Sequence, residues 1–293
     1  MQRLLIVGCG DIARRAIPLL IDRYELLALI RDPAQRAVLK RLGVAPVTGD
    51  LDRPVSLAKL GGTANIVLHC APPPKSGEMD NCRDTRTANL IRALSMAAIL
   101  PWRVVYLSTS GVYGDRAGAL TDESAPPRPR TDRARRRLDA EMRLTRWGRA
   151  RNIAVSILRV PGIYAAERLP LARLHDGTPA LTANDDVYTN HIHADDLARA
   201  AVAAIEHGRR GRIYNVCDDS TLKMGDWFDL VADRHQLPRP PRIPRSAAAS
   251  ALTRELLSFM SESRRLDNTR MKRELGVILR YPTVVDGLKV ESL

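Results

Sequence analysis

Lysine is scarce in this chain: it stands at six positions only, so 40 of the 46 basic residues are arginine. Aromatics are scarce as well, at 4% of 293 residues. A groove for single-stranded nucleic acid needs cations interleaved with stacking platforms. Here the arginines are scattered, so the net charge of +13 reflects an arginine-rich composition and nonspecific attraction for polyanions at most. No specific nucleic-acid partner is expected. Nor is there a run of about twenty apolar residues, which argues against a membrane span and a membrane partner. The chain opens on a strand pattern, not on a signal peptide, and a cytoplasmic protein is expected. The four cysteines (Cys9, Cys70, Cys82, Cys217) form no C-x-x-C pair. Cys9 and Cys70 flank buried strands and read as small core residues. His191 and His193 stand two apart without a third ligand nearby, so no metal site is expected.

Hydrophobic residues, at 45%, are ample for a core. The length suits one large α/β domain, or a domain with a smaller appendage. The most informative stretch comes first. Leu4-Leu5-Ile6-Val7 runs apolar without alternation, as in a strand buried on both faces of a parallel sheet. Gly8-Cys9-Gly10-Asp11-Ile12-Ala13 follows, then a helix to about Asp22 with Ile12, Ala16, Leu19 and Leu20 inward. In a dinucleotide site Gly8 allows the tight turn and Gly10 lets the backbone approach a pyrophosphate. Ala13 lets helix and strand pack closely, and the phosphates rest on the helix start at Asp11 and Ile12. An ordinary strand-helix turn that binds no nucleotide has the same pattern.

Glu25 to Ile30 reads as the second strand, and the residue ending it would meet the adenosine ribose. Arg31, with Arg36 on the next helix, favours a 2′-phosphate and hence NADP; Asp32 facing the ribose instead would favour NAD. Pro33 to Leu42 reads as a helix with Ala37, Val38 and Leu42 inward. A short strand, Val44 to Val47, leads to Gly49-Asp50-Leu51. The strand Asn65 to Cys70 is stopped by Ala71 and Pro72-Pro73-Pro74, which force a loop at the sheet's C-terminal edge. A helix from about Asp80 to Leu100 and a strand, Arg103 to Leu107, complete an alternation that implies a doubly wound parallel sheet. Further on come a strand at Ile153 to Leu158, a helix at Ala194 to His207 and a strand at Ile213 to Val216. Leu237 to Pro244 reads as an extended connector, and Ala247 to Met260 and Asn268 to Leu275 as two helices. Arg264 and Arg265 read either as surface residues or as contacts to an anionic substrate.

The fifth strand ends in Ser108-Thr109-Ser110-Gly111-Val112-Tyr113-Gly114, followed by Thr121-Asp122-Glu123-Ser124 and Pro126. With Leu158-Arg159-Val160-Pro161-Gly162-Ile163-Tyr164 and His193-Ala194-Asp195-Asp196, this resembles the extended short-chain dehydrogenase/reductases, the nucleotide-sugar epimerases, dehydratases and their relatives. The resemblance implies a Rossmann-like doubly wound parallel sheet with a small C-terminal substrate lobe. Residues 1–160, with returning segments at about 187–218 and the C-terminal end, would form the dinucleotide-binding domain. Residues of about 161–186 and 219–280 would form the lobe. It also implies that Asp50 and Leu51 contact adenine, that Ala71 and Pro72 line the pyrophosphate, and that Ser108, Asn89 and Pro161 belong to the cofactor site. A homodimer through the helices after strands four and five would follow the family's habit.

The chain departs from that family at its catalytic couple, Tyr-x-x-x-Lys on the helix after strand five. Aligned on Ala140-Glu141, the tyrosine position holds Arg133 and the lysine position Arg137, and none of the seven tyrosines is followed four residues later by lysine. Arginine can supply the lysine's charge and donate to a ribose. It cannot shuttle protons near neutrality, because its pKa stays above ~12. Thr109, at the family's catalytic Ser/Thr position, and Ser110 beside it can still meet a substrate oxygen. Tyr113 and Tyr164 are candidate replacement acids, although both positions mostly pack or line the pocket. Arg135 and Arg136 read as a solvated helix face, and His193 as a hydrogen-bonded core histidine at a helix start. The expectation is an NAD(P)-dependent oxidoreductase acting on a small carbonyl or sugar-like substrate. The alternative is a dinucleotide-binding sensor or interaction module without turnover.

Overall fold

The computed structural model describes residues 1–74 and 82–290. Seven parallel strands form the central sheet: β1 (Gln2–Val7), β2 (Tyr24–Ile30), β3 (Ala45–Thr48), β4 (Ile66–His69), β5 (Arg103–Thr109), β6 (Ala154–Val160) and β7 (Arg212–Asn215). Their order is β7-β6-β5-β4-β1-β2-β3. The order reverses beside β1, which leaves a crevice outside the carboxyl ends of β1 and β4, where open α/β sheets bind ligands.

The unbroken apolar run of β1 serves two cores. Leu4 and Ile6 pack on one face against α1 (Asp11–Leu20) and α6 (Ala194–His207). Leu5 and Val7 pack on the other against α3 (Thr85–Ser95) and α4 (Asp132–Arg151). All four side chains are fully buried, each contributing roughly 1.5–3 kcal/mol relative to exposure. Helix starts follow sequence rules. Asp84 accepts from the Thr87 amide at 3.1 Å, Thr131 from Ala134 at 3.2 Å and His193 from Asp195 at 3.1 Å. His193 is thus the buried helix-start residue expected of it.

The remaining helices are α2 (Arg36–Arg41), α5 (Leu171–His175), α7 (Met224–Arg234), α8 (Arg245–Ala251), α9 (Arg254–Phe259), α10 (Thr269–Leu275) and α11 (Val284–Val290). Several of them build a third core, in which Trp227, Phe228, Leu252, Met260 and Val284 pack with Tyr164. Two-stranded ladders tie this region to the sheet's edge: Gly162–Tyr164 pairs with His191–His193, and Leu120–Thr121 with Arg265–Leu266.

Several expectations need correction. Leu19 lies on the solvent face of α1. In α2 it is Leu39 that turns inward, while Ala37, Val38 and Leu42 are exposed. Pro33–Gln35 wind as a tighter 3₁₀ turn, which rotates the face that follows. The single helix expected at 247–260 is two, because Leu252 is extended and Thr253 caps a new start by accepting from Leu256 at 3.3 Å. Helix α11 was not expected at all. The start expected at Asp80 lies outside the described residues. Arg136 is buried, not solvated; α4 is half covered, and its hidden stripe includes this position as well as Ala140 and Leu144.

Candidate functional site

The glycine turn closes the crevice at β1. Gly8 has φ +89, and a Cβ there would come within 2.4 Å of the Ala71 nitrogen, so only glycine fits. The Cys70 and Ala71 amides both donate to the Val7 carbonyl, at 2.8 and 2.9 Å, and draw the ends of β1 and β4 together. A Cβ on Gly10 would meet nothing within 4 Å: the space in front of this backbone is open. Gly10 also precedes α1, whose first amides have no partner within the helix. Two cavities flank the turn. One, of about 480 Å³, runs past Arg31, Asp50, Leu51 and Ala71. The other, of about 390 Å³, runs past Asp11, Ile12, Ala13, Ser108 and Arg137. They share Gly8, Gly10, Cys70 and Pro72, and so form one cleft. An open backbone at a helix start, in a long cleft at the switch point, fits a dinucleotide.

The rim of the cleft is set by ion pairs. Arg31 faces it from the end of β2, while the Asp32 carboxylate accepts from the Ala34 amide at 2.9 Å as the cap of the next turn. Arg36 is directed to the Thr48 hydroxyl at 2.6 Å and does not line the cleft, contrary to its expected place. Asn89 also stays out of the cleft; its amide holds the Leu51 carbonyl at 2.8 Å and so fixes the Asp50-Leu51 turn. Sequence reasoning missed Arg86, three residues before Asn89 on α3. Its guanidinium forks onto Asp52 at 2.8 and 2.6 Å and reaches the Pro72 carbonyl at 3.1 Å. The hydrogen bonds from Arg86 hold the Asp52 carboxyl below its usual range, burial opposing them. Arg168 was missed as well: it lines the cleft and holds Asp11 at 2.8 Å. Burial pushes the Asp11 carboxyl up, but the hydrogen bonds and charges of Arg15 and Arg168 outweigh it and bring it below the usual range. A negative side chain at the helix start is thereby neutralised.

At the far end of the cleft, Ser108 donates to Glu141, which is itself forked by the buried Arg159 at 3.2 and 2.8 Å. Arg137 lines the cleft with one guanidinium nitrogen held by the Leu107 carbonyl at 2.8 Å and the Tyr106 hydroxyl at 3.1 Å. Beside this end lies a smaller pocket of about 180 Å³, walled by Thr109, Ser110, Arg133, Pro161, Glu262 and Arg264. Thr109 accepts from the Gly111 amide at 3.2 Å, and Arg133 stacks over Phe259 at 4.4 Å. Pro161 therefore faces the small pocket, and its neighbours Val160 and Ile163 face the cleft.

Neither candidate replacement acid reaches these walls. Tyr113 is fully buried and donates to Asn215 at 2.7 Å, and burial pushes its hydroxyl up to about 12. Tyr164 is buried in the third core and donates to the Thr283 carbonyl at 3.3 Å. The geometry thus sets an extended, phosphate-ready cleft next to a pocket of hydroxyls and cations that can orient and polarise an oxygen, the two lined by the adjacent residues Ser108 and Thr109. Among the described residues, no group of three His, Cys, Asp or Glu could hold a metal, and no helix is long and apolar enough to cross a membrane.

Comparison with known proteins agrees with this geometry. The profile of the NAD dependent epimerase/dehydratase family matches residues 4–217. A GDP-6-deoxy-D-mannose reductase of Pseudomonas aeruginosa is 30% identical over 252 residues, covering 80% of this chain and 81% of the relative. A 3-diazoavenalumate denitrifying reductase of a Streptomyces species is 26% identical over 310 residues, covering 98% and 99%. Among solved structures, a conserved protein of unknown function from Silicibacter pomeroyi superposes with a TM-score of 0.81 at 29% identity, covering 99% of this chain and 98% of the other.

Proposed function

The chain belongs to the NAD-dependent epimerase/dehydratase family, and from that premise we propose that it binds a nicotinamide dinucleotide, NADP(H) in preference to NAD(H), and acts as an oxidoreductase on a carbonyl or sugar-like substrate. The preference for NADP(H) rests on one observation: Arg31 stands at the rim where β2 ends, while the Asp32 carboxylate is occupied by the Ala34 amide. A guanidinium reads a phosphate bidentately and stacks on a base. Asp32 lines the same cavity with one carboxylate oxygen held by the Ala34 amide, and a ribose bound by its other oxygen would favour NAD instead.

When bound, the cofactor supplies or accepts hydride. The residues around it would divide the remaining work. Gly8, Gly10 and the start of α1 receive the pyrophosphate, with Ala71 and Pro72 opposite. Arg137, already braced by β5, offers its free N–H groups to the ribose. Thr109 orients the substrate oxygen beside Arg133. Because guanidinium keeps its proton, residue 133 can polarise that oxygen but not protonate it. Calorimetry with NADPH and NADH tests the reading, with NADPH expected to bind the more tightly. Failure of both to bind would refute it. A panel of carbonyl and nucleotide-sugar compounds, followed at the nicotinamide absorbance, then tests turnover.

A second reading, a dinucleotide sensor or interaction module without turnover, draws support from the same helix. Arg133 is stacked on Phe259 and Arg137 is tied to Leu107 and Tyr106, so neither behaves as a mobile acid. Tight NADPH binding with no oxidation across the panel would favour it.

A further inference from the structure

The pocket beside the cleft holds a largely covered cation with capacity to spare. Arg264 comes from the segment before α10, and its side chain is only 12% exposed. One terminal nitrogen is held by the Gly114 carbonyl at 3.0 Å and by Glu262 at 2.9 Å; the other lies 3.4 Å from the Ser110 hydroxyl oxygen. Nε has no hydrogen-bond partner among the described residues. A guanidinium carries five N–H groups, and a buried donor left unsatisfied costs roughly 1–3 kcal/mol. Nε itself is closed to solvent, so the capacity Arg264 has for a ligand lies at the terminal nitrogen whose contact to Ser110 is long.

We propose that this pocket binds a compact carboxylate substrate, with Arg264 at its base and Arg133 at its mouth reading the carboxylate. The inference rests on the reading that the adjoining cleft holds the dinucleotide, because only then does a substrate belong here. Three observations set the ligand's chemistry. The charged side chains lining the pocket are Arg133, Arg264 and Glu262, two cations against one carboxylate, so a single negative charge balances it. A phosphate, near two charges, would overshoot that balance and meet Glu262 at close range. The volume of about 180 Å³ falls below the ~300–1,000 Å³ of pockets that enclose drug-sized ligands, which excludes a whole sugar nucleotide and suits a small acid. Finally, Thr109 and Ser110 share the wall with Arg264, so a carboxylate held by the arginines sets the rest of the molecule against the hydroxyls at the end of β5.

The test uses benzoate and its neutral isostere benzamide, titrated by calorimetry into the full chain with and without saturating NADP⁺. Benzoate is expected to bind about tenfold or more tightly than benzamide, the size of a charge-assisted hydrogen-bond pair. Arg264→Gln should erase most of that difference, lowering benzoate affinity far more than benzamide affinity and leaving NADP⁺ affinity unchanged, and Arg264→Lys should restore part of it. Because Arg264 also fastens Gly114, the exposed Arg133→Gln provides an independent arm and should lower benzoate affinity alone. Equal binding of the two compounds by the wild type, binding of neither, or parallel loss of both in the variants would overturn the proposal. Failure of NADP⁺ to bind, read in the same experiment, would instead refute the dinucleotide site itself.

Discussion

The long cleft and the small pocket meet at the end of β5, yet they are made of different kinds of sequence. The adenosine side of the cleft is walled by residues 8 to 86, a single early stretch of chain, in which the small residues Gly8, Gly10, Gly49 and Ala71 stand among the charged Arg31, Asp32, Asp50 and Arg86. The pocket gathers residues from 109 to 264, and its surface is hydroxyls and a buried ion pair. The first region fixes what backbone can approach the ligand; the second fixes which charge the ligand carries. Shape in the cleft is dictated by the main chain, whereas chemistry in the pocket is dictated by side chains that arrive from distant segments.

Four variants sharpen or break that contrast. The largest effect is expected from Gly8→Ala. It places a β-carbon 2.4 Å from the Ala71 nitrogen in a positive-φ turn, at a cost of roughly 2–5 kcal/mol. Thermal unfolding should show the loss, and calorimetry should find no dinucleotide binding. Next comes restoration of the family's couple by Arg133→Tyr with Arg137→Lys. Proton transfer of this kind contributes ~10²–10⁴-fold, so turnover of any accepted carbonyl should rise about 100-fold. An unchanged rate would mean that the pocket's hydroxyls and cations already do the work, or that no hydride chemistry occurs. Arg31→Ala is expected to weaken NADPH about tenfold or more and NADH hardly at all; equal losses would remove Arg31 as the phosphate reader.

The smallest effect concerns Asp218, three residues past the end of β7. Burial raises the Asp218 carboxyl to about 7, and its second oxygen has no partner. The folded chain therefore keeps a proton that the unfolded chain releases near pH 4, so stability falls as pH rises from about 4 to 7. Asp218→Asn keeps an acceptor for the Ser220 amide, now at 2.9 Å, and removes the titration. Its Tm should exceed that of the wild type by several degrees at pH 8 and match it near pH 4.

The same contrast explains what could be read in advance. The parallel sheet and the glycine turn were legible because they follow from local periodicity and from the steric needs of a few backbone positions, whereas the strand order is read from the structure alone. Leu4 to Val7 and Gly8 announce themselves in any α/β chain, while Ala71 was placed only through the family resemblance. Arg31 was legible because a strand end has a fixed address. Arg86 and Arg168 were not: their partners, Asp52 and Asp11, are 34 and 157 residues away, and one arginine among 40 carries no local mark. Tyr113 misled for the opposite reason. Its motif lies beside the site, but a 3₁₀ turn at Ser110–Tyr113 swings the ring inward to Asn215. The inward face of α2 slipped by a similar turn, at Pro33–Gln35.

The strand order has a consequence for synthesis. From β1 the sheet extends to β2 and β3 on one side, and then from β4 to β7 on the other, each new strand joining the existing edge in the order in which it leaves the ribosome. The adenosine-side wall is complete once residue 86 has emerged, whereas the pocket waits for residue 264. Domains fold as units during translation, and Leu4 and Ile6 of β1 need α6 to cover them. The wall made first therefore waits for residues 194–207 before it can hold a nucleotide, and the pocket is completed last.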